Sequence, residues 1–181
     1  RGYVDGVRVR DSTVNTSTAT TGGVVGRNTG TVTRSSMTGF VMGDSITGGL
    51  VGESTGTVTH SYANVTVRGG GIGASTGGLI GSLKTEPRRE TPALLTHSFA
   101  SAEVTATTDV GGLVGTNFNG TIENTYAQGS VTGERRVGSL VGLTNRGNGG
   151  GTVSHSYTTA QVNAEGNNGN VWGQRSPAAA Y

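Results

Sequence analysis

Gly111-Gly112-Leu113-Val114-Gly115, followed by Gly120-Thr121-Ile122-Glu123-Asn124-Thr125-Tyr126-Ala127-Gln128-Gly129-Ser130-Val131-Thr132-Gly133, decides how this chain folds. The stretch is the clearest copy of a unit that fills most of the 181 residues. Its first block, G-[GS]-[LV]-[VI]-G, also begins at Gly22, Gly48, Gly77 and Gly138, so successive starts are 26, 29, 34 and 27 residues apart. A degenerate copy, Gly169-Asn170-Val171-Trp172-Gly173, follows after 31 more. Periods of this size are the signature of repeat architectures, in which each unit buries its apolar face on its neighbours.

Each block but the last leads into a second one of the form V-x-x-S-Y-A-x-x-x-V-x-G, and these align in columns. An apolar column reads Val9, Val32, Val58, Leu95, Ile122, Val153, and a hydroxyl column Ser12, Ser35, Ser61, Ser98, Thr125, Ser156. An aromatic column reads Tyr62, Phe99, Tyr126, Tyr157, with Thr13 and Ser36 in the first two units. Ala63, Ala100, Ala127 and Thr158 form a small column, and Val41, Val67, Val104, Val131 and Val162 a second apolar one. Apolar residues alternate with polar ones at the strand period of two, and β-branched Val and Thr suit strands. Gly bounds each strand, where it is expected to supply corners with φ above zero.

The expected fold is all-β, a parallel β-solenoid (β-helix) of about five to six coils. Stacking at the usual interstrand spacing turns each column into a ladder of like on like, in a rod on the order of 30 Å long. Strands at such spacing also occur in β-sandwiches, which do not require the same pattern to recur residue by residue. The reading is of one domain over 1–181, with repeats over about 6–173 and a tail at 174–181.

Composition agrees with this architecture. Apolar residues make up 31% and glycine accounts for 34 positions; a thin solenoid core tolerates that, and the periodicity argues against disorder. A net charge of +2, with 13% charged residues, gives no field strong enough to point to nucleic acid. No run approaches the roughly 18 apolar residues of a membrane-spanning helix, so no membrane insertion is expected. There is no Cys, hence no disulfide framework and no thiolate chemistry.

The pattern G-G-L-V-G…G-T-[VI]-x-x-S-Y-A-x-x-x-V-x-G resembles the GLUG-motif repeats of bacterial and archaeal surface proteins. Such repeats occur in large secreted adhesins of the filamentous-haemagglutinin type, and beside the catalytic domain of some immunoglobulin-A-cleaving metallopeptidases. The resemblance covers about residues 6–173. It is weaker in the first coil, where Ser12-Thr13-Val14 replaces S-Y-A, and in the last, where Trp172 takes a Val/Ile position. It implies an extracellular solenoid segment of a surface protein.

No catalytic constellation stands out, and neither an enzyme nor a cofactor is expected. His60, His97 and His155 share one column with Asp11, Arg34 and Asn124; two His on adjacent rungs can share a metal, but a closed zinc site needs four ligands, so a polar surface ladder is the expectation. No H-E-x-x-H occurs. The Gly clusters at 69–73 and 147–151 lack the helix and Lys of a phosphate loop. The four Asp do not follow the spacing of calcium-binding β-rolls. Thr31/Thr33 and Thr57/Thr59 form the Thr-x-Thr pairs of an ice-binding face, broken later by Glu123 and Ser154.

Three insertions, 70–76, 82–93 and 143–151, are expected to project from one side of the rod. The charged one is the candidate contact loop: Lys84, Glu86, Arg88, Arg89 and Glu90, with two prolines, Pro87 and Pro92, that do not suit an inner strand. The expected role is a structural or adhesive segment of an extracellular filament. Its partners would be further copies or flanking coils end to end, or a surface glycan or protein. The alternatives are a self-assembling fibre subunit and an ice- or glycan-binding surface.

Overall fold

A computed structural model describes residues 2–17, 19–88, 90–145, 150–165 and 168–169. These form a parallel β-solenoid with strands and no helix. Three parallel sheets run along it, of 11, 6 and 5 strands, called A, B and C below. Sheet B counts the coils: Thr20–Gly22, Ile46–Gly48, Ser75–Gly77, Thr108–Gly111, Arg135–Gly138 and Asn168–Gly169. Each coil passes from B to C, through strands such as Val51–Ser54 and Val114–Phe118, and then along the longer A face. On A the chain bends midway; Thr57–Thr59 and Tyr62–Arg68 are the two halves of one pass, and Leu94–Thr105 spans both.

Pairing is in register, like on like. Tyr62 lies beside Phe99, Ala63 beside Ala100 and Val67 beside Val104; the next coil continues with Tyr126, Ala127 and Val131. The interior is the sum of these ladders. Val58, Leu95 and Ile122 from one half of A, Val41, Val67 and Val131 from the other, and Leu50, Leu79, Leu113 and Leu140 from the B–C corner are all fully buried. Burying each such side chain contributes about 1.5–3 kcal/mol.

The G-G-L-V-G block makes the B–C corner, and its glycines act through closeness of backbone. One carbonyl of the following coil accepts two successive N–H groups: Leu50 and Val51 both donate to the Leu79 oxygen at 3.0 Å, and Leu79 and Ile80 to that of Leu113 at 2.9 and 3.0 Å. A turn so tight turns both Leu50 and Val51 inward. A Cβ on Gly48 would lie 2.0 Å from the Val51 oxygen, one on Gly49 2.1 Å from the Gly78 oxygen of the next coil, and one on Gly52 2.6 Å from the Gly26 oxygen of the previous one. None of these glycines has positive φ, so the expectation that they supply left-handed corners is corrected: they are glycine because carbonyls occupy the space a Cβ needs.

The left-handed corners of sheet A carry side chains in every coil after the first, where Gly6 holds the position at φ 68°. Arg34, His60, His97, Asn124 and His155 have φ between 46° and 51°, and they form the bend in the middle of A.

The first coil corrects the sequence alignment. Val4, rather than Val9, stands beside Val32; Arg8 stands beside Ser36, Val9 beside Met37, and Ser12 beside Gly39. Gly6, rather than Asp11, takes the corner position, donating its N–H to the Thr33 oxygen as Arg34 does to that of Thr59. A bulge at Asp11, with φ 48°, shifts the register between Val9 and Ser12. One extra residue moves every following side chain, so a coil lacking the Ser and aromatic markers cannot be aligned by pattern. The coil also begins before residue 6, since Tyr3–Asp5 pairs with Thr31–Thr33.

The insertions are shorter than expected and do not share one side. Ser75 and Thr76 are buried in sheet B, and Ser82 and Leu83 in sheet C, while 143–145 belong to Val141–Asn145. The first insertion sits where A meets B; the other two fall between C and A. Residues 146–149, Trp172 with most of the degenerate sixth block, and the tail 174–181 lie outside the described residues.

Gly49→Ala is expected to lower stability by about 1–3 kcal/mol, the usual cost of overpacking, in chemical denaturation. Gly71→Ala, where a Cβ meets nothing within 4 Å, is expected to change it by less than about 0.5 kcal/mol.

Candidate interaction face

The outer side of sheet A gathers most of the residues that the sequence singles out. Its geometry follows from the bend. A non-glycine residue in the left-handed region costs roughly 1–2 kcal/mol, and the bend interrupts the regular backbone ladder. The hydroxyl column repairs the interruption. Ser35, Ser61 and Ser98 each donate Oγ–H to the carbonyl two residues back, at 2.8 Å on Thr33, Thr59 and Thr96. The same oxygens accept from the preceding coil: Ser35 N–H donates to Ser61 Oγ, and Ser61 N–H to Ser98 Oγ, both at 3.1 Å. Val7 N–H opens the series on Ser35 Oγ at 3.3 Å, and Thr125 N–H continues it on Ser156 Oγ at 3.3 Å. Ser35, Ser61, Ser98 and Thr125 are buried.

Outside the hydroxyls stand the His and aromatic ladders. The His60 and His97 rings are parallel within 3°, with centroids 5.0 Å apart. Each Nδ1 is bonded to the hydroxyl of the preceding Thr, at 2.8 Å for Thr59 and 2.9 Å for Thr96. Among the described residues no three His, Asp or Glu gather as a metal-ligand set. Tyr62, Phe99, Tyr126 and Tyr157 form one stack, with successive centroids 5.0, 4.7 and 5.3 Å apart. Strand spacing imposes that distance, and it falls inside the range where aromatic pairs attract. Phe99 and Tyr126 are half-covered by their neighbours, while the end rings Tyr62 and Tyr157 are 38% and 61% exposed. The Tyr126 hydroxyl is pushed above its ordinary range, first by burial and then by Tyr157.

The charged insertion stands apart from this face, between C and A. Its neck is tied down: Thr85 N–H donates to the Phe118 oxygen at 2.9 Å, Thr85 Oγ1 to the Asn119 oxygen at 2.6 Å, and Ala93 N–H to Thr85 Oγ1 at 2.9 Å. Lys84 ends its strand and pairs with Glu86 at 3.5 Å; Arg88 and Glu90 are exposed, and Arg89 lies outside the described residues. The Thr-x-Thr surface of sheet A is narrow, because Leu94 stands between Thr57 and Thr121.

Charge pairs between coils escape the column reading, which treats charges as scattered. Arg27 reaches Glu53 at 3.2 Å, Arg34 pairs with Asp5, and Arg136 pairs with Asp109. Each pair is separated by about one coil, 26, 29 and 27 residues; opposite charges one period apart are the signal that would have found them. Burial gives two of them opposite electrostatics. The bond to Arg34 holds the exposed Asp5 carboxyl below its usual range. Burial lifts Asp109 above it despite the Arg136 guanidinium. The sign follows from proton binding. The share of stability due to Asp5 is present above the ordinary value of 3.8 and is lost as pH falls through its lower folded value. For Asp109 it is full below 3.8 and declines as pH rises through its higher folded value.

Carboxyl-selective NMR titration is expected to place Asp109 above 3.8 and Asp5 below it; the reverse order would contradict the burial difference. Ser61→Ala leaves the Ser35 N–H and Thr59 carbonyl without their partner and is expected to cost about 1–3 kcal/mol. Ser61→Thr, the residue type already present at Thr125, is expected to retain most of that stability in the same denaturation measurement.

Residues 106–132 match the model of the GLUG motif. Over 96 residues, 52% of the chain, the sequence is 38% identical to halomucin of Haloquadratum walsbyi (strain DSM 16790 / HBSQ001). The chain spans about 1% of the length of that curated relative. No solved structure matches it. These matches support the coarse reading of an extracellular or cell-surface repeat protein. The matched segment carries the GLUG motif, and its G-[GS]-[LV]-[VI]-G block recurs from coil to coil along the parallel β-solenoid.

Proposed function

We propose that this chain is a non-catalytic, stiff spacer with adhesive capacity in an extracellular or cell-surface filamentous protein. The observation that carries the reading is the continuity of the three parallel sheets, each joined coil to coil without a change of partner order. Bending such a rod at any point strains three hydrogen-bonded ladders and one shared core together. The contact surface in this reading is the loop after Lys84, where Arg88 and Glu90 face solvent beyond a neck held by the Thr85 hydrogen bonds.

A second reading, end-to-end stacking of copies or of flanking coils, is favoured by the first coil. Among the described residues its strands Tyr3–Asp5, Arg8–Thr16, Thr20–Gly22 and Val25–Asn28 each pair on one side only. Together they present open backbone donors and acceptors in the arrangement that another coil satisfies.

Light scattering across a concentration series is expected to give a monomeric rod if the chain is a spacer; growth with concentration would favour the fibre reading. On an array of matrix proteins and charged glycans, deletion of residues 86–92 is expected to abolish binding while leaving the unfolding midpoint in place. Binding that survives the deletion would remove the loop from the adhesive role.

A further inference from the structure

Beside the aromatic stack, the outer face of sheet A carries a trough of about 360 Å³ that no reading above employs. It runs along the stacking axis across four successive coils, from Gly39 at one end to Gly129 at the other. At the usual interstrand spacing that is a length of about 14 Å. Asn64 and Ser101, neighbours in register, line one side; Thr66 and Glu103, likewise in register, line the other. Gln128 extends the first wall, its Nε2 donating to Ser101 Oγ at 3.1 Å.

We propose that this trough binds a linear, neutral polysaccharide laid parallel to the solenoid axis. Three features of the site select that chemistry. Its walls offer amide and hydroxyl groups at one per coil, the inventory that pairs with sugar hydroxyls in either direction. Its backbone is closed to a peptide strand: Tyr62–Arg68 is paired on both sides, to Ser36–Gly43 and to Leu94–Thr105, and addition of a peptide strand needs a free edge. Its single charged lining residue, Glu103, is an acid, which disfavours an anionic chain. The Tyr62–Phe99–Tyr126 stack runs alongside, two residues from the amide and hydroxyl wall. Because every coil repeats the same offset, a chain of repeating sugar units meets a repeating set of partners. Successive contacts then act as linked binding events. The inference deepens the adhesive reading but moves its contact surface from the charged loop to the sheet.

The test is calorimetric titration of the purified chain with cellohexaose, xylohexaose, mannohexaose and chitohexaose as probes, with an oligoguluronate of equal length as the anionic comparison. The expected result is binding of at least one neutral probe and a weaker or absent response to the oligoguluronate. Ser101→Tyr fills the trough from an outward-facing position and is expected to weaken that binding about tenfold or more, which is about 1.4 kcal/mol. Asn64→Ala, which removes an exposed amide, is expected to weaken it to a lesser extent. Both variants should keep the wild-type unfolding midpoint. Deletion of residues 86–92 is expected to leave binding of the neutral probe unchanged. If no neutral probe binds, or if Ser101→Tyr and Asn64→Ala both bind as the wild type does, the trough is not the site. Loss of binding on loop deletion alone would overturn the trough and leave the adhesive loop standing.

Discussion

The fold depends on one constraint: every residue must tolerate its counterpart from the next coil at a single strand spacing. The constraint bites hardest where the backbone leaves regular β geometry. At the bend of sheet A a left-handed residue interrupts the ladder, and the following Ser or Thr closes the gap with a hydroxyl that serves two coils at once. At the B–C corner one carbonyl takes two donors and the backbones come so near that only hydrogen fits on Cα. The serine column and the glycine blocks are therefore two answers to the same geometric demand. One supplies missing hydrogen-bond partners; the other removes atoms that would hold the coils apart.

Those two devices explain why so modest a core suffices. Each coil contributes only a few apolar side chains, among them the corner Leu and the inward Val of sheet A, yet each lies on its equivalents above and below. The outer ladders follow automatically. Once register is set inside, the aromatic rings, the imidazoles and the amides outside are stacked at the same interval, whether or not they stabilise the rod. Function on such a scaffold is thus a matter of which residue types are repeated on the outer face, and the face here repeats rings beside amides and hydroxyls.

Much of this was legible in the sequence because like stacks on like. From the second coil on, the columns that contain Tyr62, Ala63 and Val67 coincide with the observed register. The two His on adjacent rungs stand 5.0 Å apart as their column implies. What failed to show had physical reasons. The first coil has Val7, Arg8 and Val9 where later coils have [ST]-[YFS]-[AMT], and a bulge at Asp11 conceals the true offset. The glycines were expected to supply positive φ, but composition alone does not separate a residue chosen for its torsion from one chosen for its lack of a Cβ. Neither does it reveal that Arg and His would occupy the left-handed bend. The pairs Arg27–Glu53 and Asp109–Arg136 depend on knowing the period at that point of the chain, which varies with the insertions. The trough depends on which side chains project outward together, and no single column contains it.

The central claim, in-register stacking of successive coils, is tested most directly by disulfide trapping, since the chain contains no Cys of its own. Asn64 and Ser101 face each other across adjacent strands, and neighbouring strands at about 4.8 Å lie within the Cα separation a disulfide accepts, roughly 4.4–6.8 Å. The variant carrying Asn64→Cys and Ser101→Cys should oxidise to an intramolecular bond under mild conditions, while Asn64→Cys with Thr105→Cys, four residues out of register, should remain reduced. A bond in the second pair and none in the first would contradict the stacked register.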